Sequence, residues 1–236
     1  MCTVTLVPIK SEKNAFILTS SRDEAVARET SAPDFHVFNS KKMLYPKDAL
    51  AGGTWIGVNE NHRVVNLLNG GFKPHKREKS YKMSRGILVK EFLAADDIKE
   101  FIDGYDFFGI EPFTVIIVDV EEKLCFYELV WDGKKKYFQQ LDLKSHIWSS
   151  SPLYSNNIKK QREELFFEFQ KNKEINSENL WQLHHKTASG NPEVDFIIDR
   201  GFLKTKSITQ IVKTSKHVKM LYQDLKKNEI VNKIFR

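Results

Sequence analysis

Residues 1–24 read MCTVTLVPIKSEKNAFILTSSRDE. Two runs rich in β-branched and aromatic residues, CTVTLVPI and AFILTSS, flank the polar break KSEKN, which is the pattern of a β-hairpin. If residues 11–14 form a four-residue loop, Lys10 faces Ala15 and paired positions sum to 25. Carried outward, that ladder sets Cys2 opposite Asp23, with Arg22 and Glu24 beside it. Pro8 favours a bulge or irregularity nearby. The hairpin therefore gathers the start of the chain and the Ser-Arg-Asp-Glu stretch at one place.

A second hairpin follows from the same logic. GGTWIGV and RVVNLLNGG flank the turn-forming cluster NENH. Setting Val58 opposite Arg63 brings Asn69 near Gly52 and Gly53. The span from Ser80 to Tyr105 then carries Ile87, Leu88, Phe92, Leu93, Ile98, Phe101 and Ile102 at helical spacing, predicting one or two helices that end near Gly104. FTVIIVDV, KLCFYELVW and KKYFQQLDL read as three strands of an antiparallel meander, with Cys125 a buried, inert thiol in the middle one. SHIWSSSPLYSNN reads as an irregular serine-rich loop. Two helices come next, the second with Ser177 as its N-cap. His184 and His185 lack a partner at metal-ligand spacing and read as ordinary. FLKTKSITQIVKTS is a late strand or strand pair, and the segment from His217 onward a helix or mixed segment.

This order is α+β with mostly antiparallel sheet and no βαβ rhythm. It contains neither a dinucleotide fingerprint nor a phosphate loop, and no internal repeat or linker, so residues 1–236 read as a single domain. Its 41% hydrophobic content and 17 Phe can build a sizeable core. Two distant cysteines are no disulfide framework and suit a reducing compartment. No secretory segment and no membrane-spanning apolar run is visible, so the expected location is cytoplasmic. The net charge of +6 is concentrated in a basic C-terminal segment, residues 203–236, with about nine basic and two acidic side chains. A solvated Lys-rich helix accounts for it. Without zinc-finger spacing, ribonucleoprotein aromatics or a helix-turn-helix, no nucleic-acid partner is expected.

A cysteine at position 2 is an accident of a first strand, or it becomes the N-terminus once methionine is removed. In the second case it carries its own general base. An α-amine has an ordinary pKa of about 7.7 to 8.0, so near neutrality part of it is free to take the thiol proton. Arg22 nearby would favour the thiolate, and Asp23 could orient the ammonium. Asn side chains and strand-end amides can serve a developing oxyanion. The plain rival is that Arg22 and Asp23 merely pair to close a sheet edge.

Cys2, SSRDE, AGGTWIGVNENHRVVNLLN, SRGILVKEFL, PLYSN and KTKSITQIVK, in this order, resemble the transport and Golgi organisation 2 family, also called NRDE proteins. The signature Asn-Arg-Asp-Glu corresponds to Ser21, Arg22, Asp23 and Glu24, and the Gly-Gly-Thr-Trp motif to residues 52–57. That family resembles N-terminal-nucleophile hydrolases, which implies a four-layer αββα sandwich. The resemblance implies Cys2 as nucleophile supported by Arg22 and Asp23, with Asn69 and Asn156 on the oxyanion side and Lys206 in place of an arginine of the late strand. Ser21 stands where the family has Asn. Lys206 is a point charge without arginine's bidentate fork, which weakens any carboxylate recognition there.

The implied activity is hydrolysis of a small amide through a Cys2 acyl-enzyme, with no cofactor. Trp55, Phe72 and Trp148 are candidates to line an apolar substrate pocket formed by residues 69–81 and 147–155. The alternative is a non-catalytic small-ligand binder. Haem is the ligand suggested by the family, with Cys2, His36, His62 or His75 as iron ligands, although no haem-attachment motif is present. A scaffold that merely kept the fold is the third reading.

Overall fold

The computed structural model describes residues 2–120, 123–186 and 191–235, with Cys2 described by its backbone alone. Among these described residues are two antiparallel sheets and four helices. The chain divides into two compact units, one made of residues up to 27 with 144–234, the other of residues 28–143 with Phe235.

The first unit is built on β1 (Cys2–Pro8), β2 (Phe16–Ala25), β10 (His146–Ser149), β11 (Leu203–Lys213), β12 (Val218–Asp224) and β13 (Glu229–Phe235), in the spatial order β10-β1-β2-β11-β12-β13. The opening hairpin forms, but its register differs from the sequence expectation. Paired positions sum to 24, so Pro8 faces Phe16 and Cys2 faces Arg22. The loop is one residue longer than expected because Asn14 adopts a left-handed φ of 55° and Ile9 N–H donates to Ala15 C=O at 2.9 Å. Asn tolerates that conformation better than most residues.

Two stretches differ in type. The serine-rich loop begins with β10, a four-residue strand too short to show an alternation, which pairs with β1 from Thr3–Ser149 to Leu6–His146. The segment from His217 onward, expected as a helix or mixed segment, is instead β12 and β13. Val218, Met220 and Tyr222 are buried at every second position, the period of a strand.

Two helices pack on this sheet: α3 (Asn156–Asn172), capped by Ser155, and α4 (Ser177–His184). The cap of α4 is Asn176, whose side chain accepts from Asn179 N–H, so Ser177 is the first helical residue. Phe166, Leu180 and Leu183 meet Val7, Ile17 and Phe196 in one apolar cluster.

The second unit is a meander of β3 (Thr30–Phe38), β4 (Lys41–Asp48), β5 (Ile56–Asn59), β6 (Val64–Asn69), β7 (Phe113–Asp119), β8 (Cys125–Trp131) and β9 (Lys136–Leu141), each beside the next. Here too the hairpin slips by one: Val58 faces Val64, and Asn59 N–H donates to Arg63 C=O. His62, at φ 65°, shortens the loop to residues 60–62. The single helical span separates into α1 (Arg85–Ala94) and α2 (Ile98–Gly104), with Asp97 capping the second through Lys99 and Glu100 N–H. Leu88, Val89, Phe92 and Leu93 of α1 and Ile98 and Ile102 of α2 pack on this sheet's core.

The glycine motif has a steric reason. A Cβ on Gly53 would lie 2.4 Å from the backbone carbon of Gly86, and Thr54 N–H donates to Gly86 C=O at 3.0 Å. The Gly-Gly-Thr-Trp and Arg-Gly stretches therefore meet backbone to backbone, where no side chain fits.

Candidate active site

Alternation along β2 decides what each signature residue touches, since neighbouring positions face opposite sides of a sheet. Ser21 and Asp23 face α3 and α4, and Arg22 and Glu24 face away. Arg22, opposite Cys2 in the register, is only 3% exposed and lies 3.7 Å from Glu24. Arg22 thus pairs with Glu24 on one face, where the plain rival reading pairs it with Asp23 at a sheet edge.

Asp23 is buried and accepts two hydroxyl protons. Tyr154 Oη donates to Oδ2 at 2.6 Å, and Thr205 Oγ1 donates to Oδ1 at 2.7 Å. Burial raises the Asp23 carboxyl above the usual carboxylate range, more than the two hydroxyls lower it. Thr205 reaches Asp23 because β11 pairs with β2 at that position, and a bulge at Lys206 follows before Ser207 faces Arg22. Lys206, as the extra residue, turns its ammonium onto Val26 C=O at 2.7 Å.

Below Asp23 lies a fully buried polar layer. Arg162 of α3 donates from Nε to Val194 C=O at 3.0 Å and through its terminal nitrogens to Thr3 Oγ1 and Asp195 C=O. Its guanidinium carbon sits 3.8 Å from the Tyr154 ring centroid. His184 of α4 bridges Thr5 Oγ1 at 2.9 Å and Ser21 Oγ at 2.8 Å. Burial drives the His184 pKa down to about 3, so its imidazole is neutral.

Trp148 lies on β10 opposite Val4, stacked on His146 with ring centroids 5.4 Å apart. Asn156 is exposed in the first turn of α3, directly after its cap. Asn69, Trp55 and Phe72 belong to the second unit. Asn69 ends β6 opposite Phe113, Trp55 is buried just before β5, and Phe72 is half exposed with its ring edge-on to Tyr137. The first unit thus joins Cys2, Arg22, Asp23 and Lys206 along one pair of strand ladders. Sequence reasoning did not assign roles to Tyr154, Thr205, Arg162 or His184. Tyr154 and Thr205 lay inside two quoted motifs, whereas nothing in the order of residues marked Arg162.

The histidines considered as iron ligands are engaged separately. His36 stacks on Tyr45 at 4.3 Å, His62 forms a hairpin turn, and His75 lies 3.3 Å from Glu111. Among the described residues no group of three or more His, Cys, Asp or Glu is arranged to hold a metal ion. No helix among the described residues is long and apolar enough to cross a membrane.

A family model, transport and Golgi organisation 2, matches residues 1–229. The chain belongs to that family. No curated protein matches the sequence. Among solved structures, a variant of conjugated bile acid hydrolase from Clostridium perfringens, with an arginine replaced by leucine, aligns with a TM-score of 0.64 at 10% identity, over 98% of this chain and 92% of that one. A second structure of that hydrolase, a mutant with alanine in place of the cysteine at its second position, gives 0.59 at 11% identity, over 99% and 96%. The Caenorhabditis elegans orthologue of N-acylethanolamine-hydrolyzing acid amidase gives 0.56 at 11%, over 89% and 92%. At such identities the likeness shows the fold. This member of the transport and Golgi organisation 2 family has the α+β, αββα fold class of N-terminal-nucleophile hydrolases.

Proposed function

We propose that this protein is an N-terminal-nucleophile amidohydrolase whose nucleophile is the Cys2 thiol after removal of Met1. The observation that carries the reading is the strand register, which pairs Cys2 with a buried arginine and sets a buried, doubly hydrogen-bonded aspartate at the next position. The neighbouring folds support it, since their names describe hydrolases of a conjugated bile acid and of an N-acylethanolamine.

In this scheme the α-amine takes the thiol proton as sulfur attacks the amide carbon. Arg22 favours the thiolate, and Asp23 accepts from the ammonium. Asn156 of the same unit donates to the oxyanion, in the role the family resemblance assigns to its position. The C–N bond breaks as the leaving amine takes the proton from the α-ammonium. Water, deprotonated by the α-amine, then attacks the thioester, releasing the acid and restoring the thiol. No cofactor is needed. The substrate is a small amide with an apolar acyl group, for which Trp148, on the strand beside β1, is the proposed lining.

The test is a short pulse of substoichiometric iodoacetamide at neutral pH, followed by intact and peptide mass analysis. The expected product is a methionine-free chain alkylated at Cys2, with Cys125 unmodified. A fatty-acyl amide panel then seeks turnover that Cys2→Ala abolishes. Retained Met1, or labelling without preference for Cys2, overturns the reading.

A further inference from the structure

The Asp23 carboxylate is held more elaborately than a strand-closing aspartate needs. Both oxygens carry a hydroxyl donor, and the direction of each bond is fixed. Thr205 Oγ1 accepts the Ile198 N–H at 2.9 Å, so its own proton is directed at Asp23. Burial beside a carboxylate raises the Tyr154 phenol well above its ordinary value, so it stays protonated and acts only as a donor to Asp23.

Tyr154 is itself pinned. The Arg162 guanidinium lies against its ring, and the same guanidinium grips Thr3, the residue after Cys2, and the carbonyls of Val194 and Asp195. Arg162 is fully buried, so this is a fixed scaffold and not a mobile surface contact. One side chain thereby ties the end of the first strand to the tyrosine that holds Asp23.

We infer that Tyr154 and Thr205 are positioning residues that aim the Asp23 carboxylate at the chain's N-terminus, and that Arg162 locks this brace to the strand bearing Cys2. The inference rests on the N-terminal-nucleophile reading for its purpose, but the brace can be judged independently of it. A simple structural bracket would use the same bonds to join β2, β11 and α3, and would affect stability alone.

The experiment compares wild type with Tyr154→Phe, Thr205→Val and Thr205→Ser, each changing a single hydroxyl or methyl group. Two readouts are taken from each: the ¹³C titration of the Asp23 carboxyl, assigned with Asp23→Asn, and the pH profile of Cys2 alkylation by iodoacetamide. Removing a donor to the ionised form should move the Asp23 titration upward by about one pH unit in Tyr154→Phe and Thr205→Val. The acid limb of Cys2 alkylation should move with it, by the same interval on the pH axis. Thr205→Ser keeps the hydroxyl and should restore both profiles. Lowered thermal midpoints with both profiles unchanged would overturn the brace as a positioning device. An Asp23 titration that moves while the profile of a reactive Cys2 stays fixed would overturn it as well. A wild-type Cys2 no more reactive than Cys125 would instead overturn the nucleophile reading, and the carboxyl titration would still show whether the two hydroxyls hold Asp23.

Discussion

His184 shows how far one residue's chemistry depends on its surroundings. In the sequence it is half of an ordinary His-His pair. In the fold it is fully buried between two hydroxyls, one of them Ser21, the residue that replaces the family's asparagine. The native state keeps the imidazole neutral down to about pH 3, whereas the unfolded chain protonates it near 6.5. The folded pKa is thus depressed for a group whose charged form is the acid. Its neutral form favours folding above pH 6.5, and stability is lost progressively as pH falls from 6.5 towards 3. Between pH 7 and 5 the loss is about 2 kcal/mol. Denaturant unfolding at the two pH values should show this decrement in wild type, and His184→Asn should lack it whatever its absolute stability. Equal pH slopes for the two proteins would contradict the buried, neutral assignment.

At the scale of elements, single residues in left-handed turns set which side chains meet. Asn14 and His62 each adopt a positive φ, and each hairpin is displaced by one residue from the register expected for a simpler turn. Because side chains alternate with a period of two, that one step exchanges faces throughout a strand. It is why Cys2 faces Arg22 and not Asp23. A β-branched residue resists the left-handed region, so Asn14→Val should cost about 1–2 kcal/mol in urea unfolding, while Asn14→Gly should stay close to wild type. The glycine contact is less forgiving. Gly53→Ala places a methyl group into the Gly86 backbone and should cost about 1–3 kcal/mol, because neither backbone can withdraw without giving up the Thr54–Gly86 hydrogen bond. An unchanged urea midpoint for Gly53→Ala would mean that the motif does not exist for this close approach.

For the whole molecule, the two cysteines should differ in how they respond to unfolding. Cys125 opens β8, next to the edge strand of the second sheet, and is 7% exposed. It should react with iodoacetamide only through opening of that sheet, at a rate that follows global stability as urea is raised. On the proposed nucleophile reading, Cys2 should react fastest in the native state and slow on unfolding. The ratio of the two rates across a urea series therefore reports activation of Cys2 directly. Rates that rise together would argue against a special environment for Cys2.

The sequence by itself determined the α+β class, the strand meander of residues 113–141, the helices before and after it, and the grouping of Cys2 with Ser-Arg-Asp-Glu. These follow from periods of 2 and 3.6 in the apolar residues and from turn chemistry, which are local properties. Short or alternating-polar strands such as β10, β12 and β13 were not legible, because their partners lie far away in the chain and supply the pairing. The registers, the face taken by Asp23, and the convergence of Tyr154, Thr205, Arg162 and His184 were decided only by the tertiary structure. A backbone dihedral at one turn residue and the burial of polar groups that must then find partners fixed them, and neither is written in residue order.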